Sequence, residues 1–149
     1  MMVTRRDFLI GLSAVLTLSG AEGTCAAEPE SSLPVTFLLK LYFDDDQLTM
    51  NQAAKLELDR RMAFLKERLA ASAEPIVLEG HSDERGSSEY SLGLAQRRGD
   101  AVKSQLVANG IPPERIVVKS FGKERPVDPG HTKAAWAKNR RVDLLLIVP

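Results

Sequence analysis

The sequence has one cysteine, two histidines and no excess of either charge. One cysteine excludes an internal disulfide and a four-cysteine zinc site. Two histidines, His81 and His131, leave no room for a histidine-rich metal cluster. The 20 basic residues balance the 20 acidic ones. The chain therefore lacks the basic surface that displaces counterions from phosphates, and nucleic acid is not an expected partner. There is no G-x-S-x-G elbow, no H-E-x-x-H helix and no glycine-rich phosphate loop. No repeat or low-complexity tract is found. The longest apolar run, residues 8–18, is about 11 residues, short of the ~20 that span a bilayer. No transmembrane span is expected. What remains is 149 residues, 44% hydrophobic and 27% charged, which fits one globular domain.

The start of the chain reads as an address. Arg5 and Arg6 precede the apolar run, and small residues from Gly20 to Ala27 follow it. That is the layout of a cleavable export signal over residues 1–27. Thr4-Arg5-Arg6-Asp7-Phe8-Leu9 resembles the twin-arginine export pattern. A general secretion signal is the alternative. Cys25 has two readings: an acylation site, or a residue that leaves with the signal. Residues 28–34 form a short polar linker ahead of a domain at 35–149.

Within that domain, Phe37, Leu39, Leu41 and Phe43 alternate, so residues 35–43 are a predicted strand. Thr49 with Gln52 reads as a capping box. Leu58, Met62, Leu65 and Leu69 then recur at helical spacing up to residue 71. Residues 76–80 are a second short strand, and 81–88 a polar turn. A helix follows over 89–109, ended by Gly110 and Pro112-Pro113. Residues 115–120 are a third strand, 132–138 a short helix and 141–148 the last strand. The order βαβαβ(α)β predicts an α/β two-layer sandwich, with two long helices on one face of a four-stranded sheet.

One residue of the second helix stands out. With Leu94 at 0°, the stripe formed by Ala95, Ala101, Val102 and Leu106 centres near 50°, and Arg98 falls near 40°. A guanidinium on the packed side needs a partner. Two readings stand: an internal ion pair with an acid such as Asp83, or reception of an external carboxylate by the arginine fork. The acids Asp44, Asp45 and Asp46 read as a solvated strand end, or as a cation-facing rim beside the same turn. His81, Asp83 and His131 form at most a weak metal pattern, since Asp is an ordinary turn residue. Neither a metal nor a cofactor is expected. A hydrolase using His81, Asp83 and Glu84 is the enzymatic rival, and a non-enzymatic reading is preferred. Trp136 reads as a core anchor rather than a sugar-stacking platform.

Several stretches together resemble one family. They are Leu41-Tyr42-Phe43-Asp44; Leu78-Glu79-Gly80-His81-Ser82-Asp83-Glu84-Arg85-Gly86; Ser88-Glu89-Tyr90; Leu94; Gln96-Arg97-Arg98; Phe121-Gly122-Lys123-Glu124-Arg125-Pro126; and Trp136-Ala137-Lys138-Asn139-Arg140-Arg141-Val142. The set resembles the peptidoglycan-associated lipoproteins and, more broadly, the C-terminal domains of the outer-membrane-protein-A type. The resemblance implies non-covalent binding of peptidoglycan through diaminopimelate of the stem peptide. An aspartate and an arginine hold its ammonium and carboxylate, and these fall on Asp83 and Arg98. Asp44, Leu94, Asn139 and Arg140 fall on further ligand-binding positions. The resemblance also implies a periplasmic location, associated with the outer membrane. The alternative function is that of a periplasmic adaptor in a Tol-type envelope-constriction system at cell division, acting mainly through protein–protein contacts. A motor-stator type of wall anchor would require a retained transmembrane helix.

Overall fold

Alternation and helical spacing place the elements close to where the sequence predicts them. The computed structural model describes residues 35–147, with side chains from residue 39 onward. The export signal, Cys25 and the linker lie outside the described residues, as does the side chain of Phe37.

The chain runs through β1 (Val35–Tyr42), α1 (Gln52–Ala71), β2 (Ile76–His81) and α2 (Ser88–Ala108). A single 3-10 turn, Pro113–Arg115, leads into β3 (Ile116–Gly122), then α3 (Lys133–Asn139) and β4 (Arg141–Ile147). The four strands form one sheet in the order β1-β4-β2-β3. β2 and β3 are parallel, as strands joined by a crossover helix must be, and β4 is antiparallel to both β1 and β2. β4, last in the chain, thus sits inside the sheet.

Alternate strand residues build the core. Leu39 and Leu41 of β1, Ile76 and Leu78 of β2, and Val142, Leu144 and Leu146 of β4 share one cluster with Leu58, Met62, Leu65 and Leu69 of α1 and Val102 and Leu106 of α2. Both long helices therefore cover the same face, the two-layer α/β sandwich that the element order predicts. Among the described residues no helix is long and apolar enough to cross a membrane.

The other face carries His81, Arg141 and Asp143, all buried. His81 stacks on Phe121 at 5.5 Å between ring centroids. Burial, with Arg141, Arg125 and Lys40 nearby, pushes the imidazole down to about 4.

Three local features bring the functional residues together. First, α1 starts later than the capping box at Thr49 predicts. Phe43 and Met50 form a β-bridge, which keeps Met50 out of the helix. Asn51 caps the helix instead, its Oδ1 accepting from the Ala54 N–H at 2.8 Å. The bridge closes a short loop holding Asp44, Asp45 and Asp46, with Asp46 at φ 52°. Second, Gly80 lets β2 approach α2: a Cβ there would lie 2.2 Å from the Ala95 carbonyl oxygen. Third, the β2–β3 register slips between Gly80 and His81, and the Ser82 N–H bonds to the Gly122 carbonyl at 2.8 Å. Such a bulge bends the strand. Here it launches the polar turn, which ends where Ser87 caps α2 by accepting from the Tyr90 N–H.

Candidate functional site

The bulged end of β2, the loop after β1 and the first turns of α2 enclose a cavity of about 240 Å³. Asp83, Leu94 and Arg98 all line it, so three of the residues predicted from sequence meet at one place.

Arg98 is fully buried, as the helical wheel requires. Its Nε donates to the Gln47 carbonyl at 3.1 Å and its Nη2 to the Asp44 carbonyl at 3.4 Å. The guanidinium also lies 5.5 Å from the Phe43 ring centroid. Its Nη1 is buried without a hydrogen-bond partner. Burial, and then the charge of Arg140, lower its proton affinity while Asp83 opposes them, but an arginine keeps its charge. The internal ion pair between Arg98 and Asp83 is not what forms. Among the described residues, the acid expected to neutralise Arg98 is bonded elsewhere.

Asp83 is held by two other arginines. Its Oδ1 accepts from the Arg85 N–H and Nε, each at 3.1 Å. Its Oδ2 accepts from Arg85 Nη2 at 2.7 Å and from Arg140 Nη1 at 3.3 Å. Burial works against the charged form, but the bonds from Arg85 and then Arg140 outweigh it and hold the carboxyl below its ordinary range. Arg140 is positioned by its own Nε, which donates to the Phe43 carbonyl at 3.3 Å. It supports the cavity from behind Asp83.

The remaining predicted residues are placed differently. The side chain of Asp44 is exposed, and it is the Asp44 carbonyl that reaches Arg98. Asn139 is buried beside a neighbouring cavity of about 180 Å³. Its Oδ1 accepts from the Val127 and Asp128 N–H groups, and its Nδ2 donates to the Asp128 carbonyl. It braces the loop between β3 and α3 rather than facing Arg98.

Sequence reasoning missed Arg85 and Tyr90, which line the main cavity together with Asp45 and Asp46 of the acidic triplet. Arg85 was legible in part. An Asp accepting from the N–H two residues on is an ordinary turn device, which would have put Arg85 against Asp83. Asp45 pairs with Arg85 and makes the acidic loop a rim, as one reading of the triplet held. Trp136 is half-buried rather than a core anchor. Arg85 stacks on its ring at 4.7 Å, and its Nε1 donates to Glu84 at 2.8 Å.

The three candidate metal residues go separate ways. His81 faces the far side of the sheet, His131 pairs with Glu84 at 2.5 Å, and Asp83 serves the arginines. Around the cavity, Asp45, Asp46 and Asp83 face Arg85, Arg98 and Arg140. An arrangement of matched charges, with one spare buried donor, suits a ligand that carries both signs.

Residues 42–140 match the OmpA family. The chain is 41% identical over 127 residues to the peptidoglycan-associated lipoprotein of Pseudomonas aeruginosa, covering 85% of this chain and 71% of that protein. It is 33% identical over 155 residues to the protein of the same name from Mesorhizobium japonicum, covering 93% and 90%. Among solved structures, the peptidoglycan-associated lipoprotein from Burkholderia pseudomallei matches with a TM-score of 0.65 at 38% identity, covering 71% of this chain and 87% of that one.

Proposed function

The chain belongs to the OmpA family, on its peptidoglycan-associated-lipoprotein branch, and from that premise we propose that it binds peptidoglycan non-covalently and tethers the cell envelope to the wall. The ligand is diaminopimelate of the stem peptide. Arg98 takes its carboxylate and Asp83 its ammonium. Leu94 packs against its aliphatic chain, Arg140 steadies Asp83, Asp44 contributes through its carbonyl, and Asn139 holds the adjoining loop.

The observation that carries this reading is the spare Nη1 of Arg98. A buried guanidinium without a carboxylate is costly, and here it lines the same cavity as a carboxylate that does not neutralise it. An incoming carboxylate satisfies the free donor. An accompanying ammonium keeps the site's charge balanced. Each charge-assisted contact contributes roughly 1.5–3 kcal/mol.

Binding without catalysis is expected, so muropeptides incubated with the protein stay uncut. Residues 1–27 act as a twin-arginine-type export signal, and residues 35–149 are the binding domain. The place of action is the periplasm, at the outer membrane where Cys25 is acylated. The mass of the mature N-terminus distinguishes an acylated Cys25 from a start near Ala27 or Glu28. Contacts with Tol-type proteins, and a part in constriction at cell division, extend the proposal and are tested by co-purification of a periplasmic propeller protein. The direct test is a cell-wall pull-down with Asp83→Ala and Arg98→Ala. Both folded variants lose the wall, and undiminished binding by either refutes the assignment.

A further inference from the structure

The two ends of the cavity differ in a way that the ligand reading leaves unused. The basic end is under-bonded: Arg98 holds only backbone carbonyls and keeps one nitrogen free. The acidic end is fully engaged. Arg85 grips both oxygens of Asp83, at 3.1 and 2.7 Å, in the forked manner of an ideal guanidinium–carboxylate pair.

Of the two partners, Asp83 is the fixed one. Its side chain is 9% exposed, against 39% for Arg85. Arg85 also has somewhere else to go. Its Nη1 donates to Asp45 Oδ2 at 3.2 Å, its Nη2 contacts Asp45 Oδ1, and its plane rests on Trp136. Trp136 is in turn anchored by Glu84. Letting go of Asp83 therefore leaves Arg85 paired and stacked. Arg140, by contrast, is tied to the Phe43 carbonyl and stays.

Resting on the diaminopimelate reading, we propose that Arg85 is a built-in surrogate for the ligand's ammonium, holding Asp83 until the ligand arrives and then yielding it to the incoming amine. Binding is then a cation exchange at Asp83 coupled to capture of a carboxylate at Arg98. The number of charges on Asp83 does not change, so the buried carboxylate is never left bare. A ligand with a carboxylate but no amine gains Arg98 and leaves Arg85 in place. The site thereby gives up a little affinity for the amine-bearing ligand, none for a ligand without an amine, and keeps Asp83 paired throughout.

The test uses Arg85→Met, which keeps an aliphatic body on Trp136 and removes the competing charge. Calorimetric titration with a diaminopimelate muropeptide is expected to show about three- to fivefold tighter binding than wild type, the scale of losing one half-exposed ion pair. The same muropeptide with its free amine acetylated binds both proteins equally. Weaker or unchanged binding of the native muropeptide by Arg85→Met overturns the proposal and makes Arg85 a positioning residue for Asp83. Asp45→Asn provides a second test should Arg85→Met not fold. It removes the fallback partner, so it is expected to weaken binding about twofold, and equal or tighter binding overturns the proposal. Asp83→Asn separates the two levels. If it leaves affinity for the native muropeptide intact, the diaminopimelate reading itself fails. If it loses affinity while Arg85→Met does not gain any, only the surrogate role fails.

Discussion

Two arginines hold the two ends of α1, and they do different work. Arg98 reaches the carbonyls of Asp44 and Gln47 ahead of the helix. Arg115 reaches that of Leu69 in its last turn and those of Ser72 and Glu74 behind it, at 3.3, 2.6 and 2.8 Å. Each leaves one guanidinium nitrogen buried without a partner, and each sits beside a cavity. The difference lies in which nitrogen is spare and what stands near it. Arg115 leaves Nε, on its own stem, beside Leu69, Ala70, Ile111 and Pro112. Arg98 leaves a terminal nitrogen, and it lines the same cavity as Asp83. A buried arginine is therefore not by itself a site. An arginine with a spare terminal donor, lining a cavity that has a carboxylate in its wall, is a candidate for one.

The comparison breaks most readily at Arg98. Arg98→Leu is expected to lower muropeptide affinity at least tenfold, on the scale of about 1.5–3 kcal/mol for a charge-assisted contact. It also costs about 2 kcal/mol of stability, because two carbonyls lose their donor. Arg98→Lys folds better and still loses most of the affinity, since an ammonium cannot offer the fork. Titration calorimetry and urea unfolding read the two effects separately.

At Arg115 the balance reverses. Arg115→Met deprives three carbonyls of a donor, so unfolding in urea is expected to come about 2 kcal/mol easier, while muropeptide affinity stays within about twofold of wild type. A large loss of binding with unchanged stability would erase the contrast between the two arginines.

Acid sharpens the contrast between the cavity and the far face of the sheet. His81 has its folded value pushed down to about 4 from 6.5. The unfolded chain takes up that proton first, so stability falls as pH drops from 6.5 towards 4, by up to about 3 kcal/mol. Asp143 and Glu79, on the same face, are both raised by burial and act in the opposite sense. Thermal unfolding of wild type and His81→Leu across that range isolates the histidine's share. The variant's curve is expected to lack that fall. Asp83 lies below its ordinary 3.8, and its contribution is lost only as pH falls below that value. Protein that is still folded at pH 4.5 therefore keeps its ligand.

The smallest effect is expected at Asp44. Only its carbonyl is used, and its side chain is exposed. Asp44→Ala is expected to change stability by less than about 0.5 kcal/mol and affinity by less than about threefold. A loss as large as that of Arg98→Leu would place the carboxylate itself in the site.

Much of the fold is legible in the order of the residues. Period two marks β1 and period 3.6 marks α1 and α2. Gly110 and Pro112-Pro113 end α2 where expected, with Gly110 at φ 95°. The helical wheel places Arg98 among apolar neighbours, and it is buried. The cap of α1 is misplaced by local reasoning, which favours Thr49 with Gln52. The Phe43–Met50 bridge chooses Asn51 over the expected Thr49, and that bridge joins two segments. Asn139 sits beside the neighbouring cavity for a related reason, because its partners lie in a loop 11 and 12 residues before it.

By itself, the sequence determined the elements, most of their ends and which helix face is apolar, because these follow from residues a few positions apart. It also determined that a guanidinium would be buried on the packed side of α2. Only the tertiary structure decided which acid that guanidinium would lack. Asp83 meets Arg140 across 57 residues, and Arg85 meets Asp45 across 40. A charge-assisted hydrogen bond needs its partners about 3 Å apart, and chain closure sets those distances where neighbouring residues cannot.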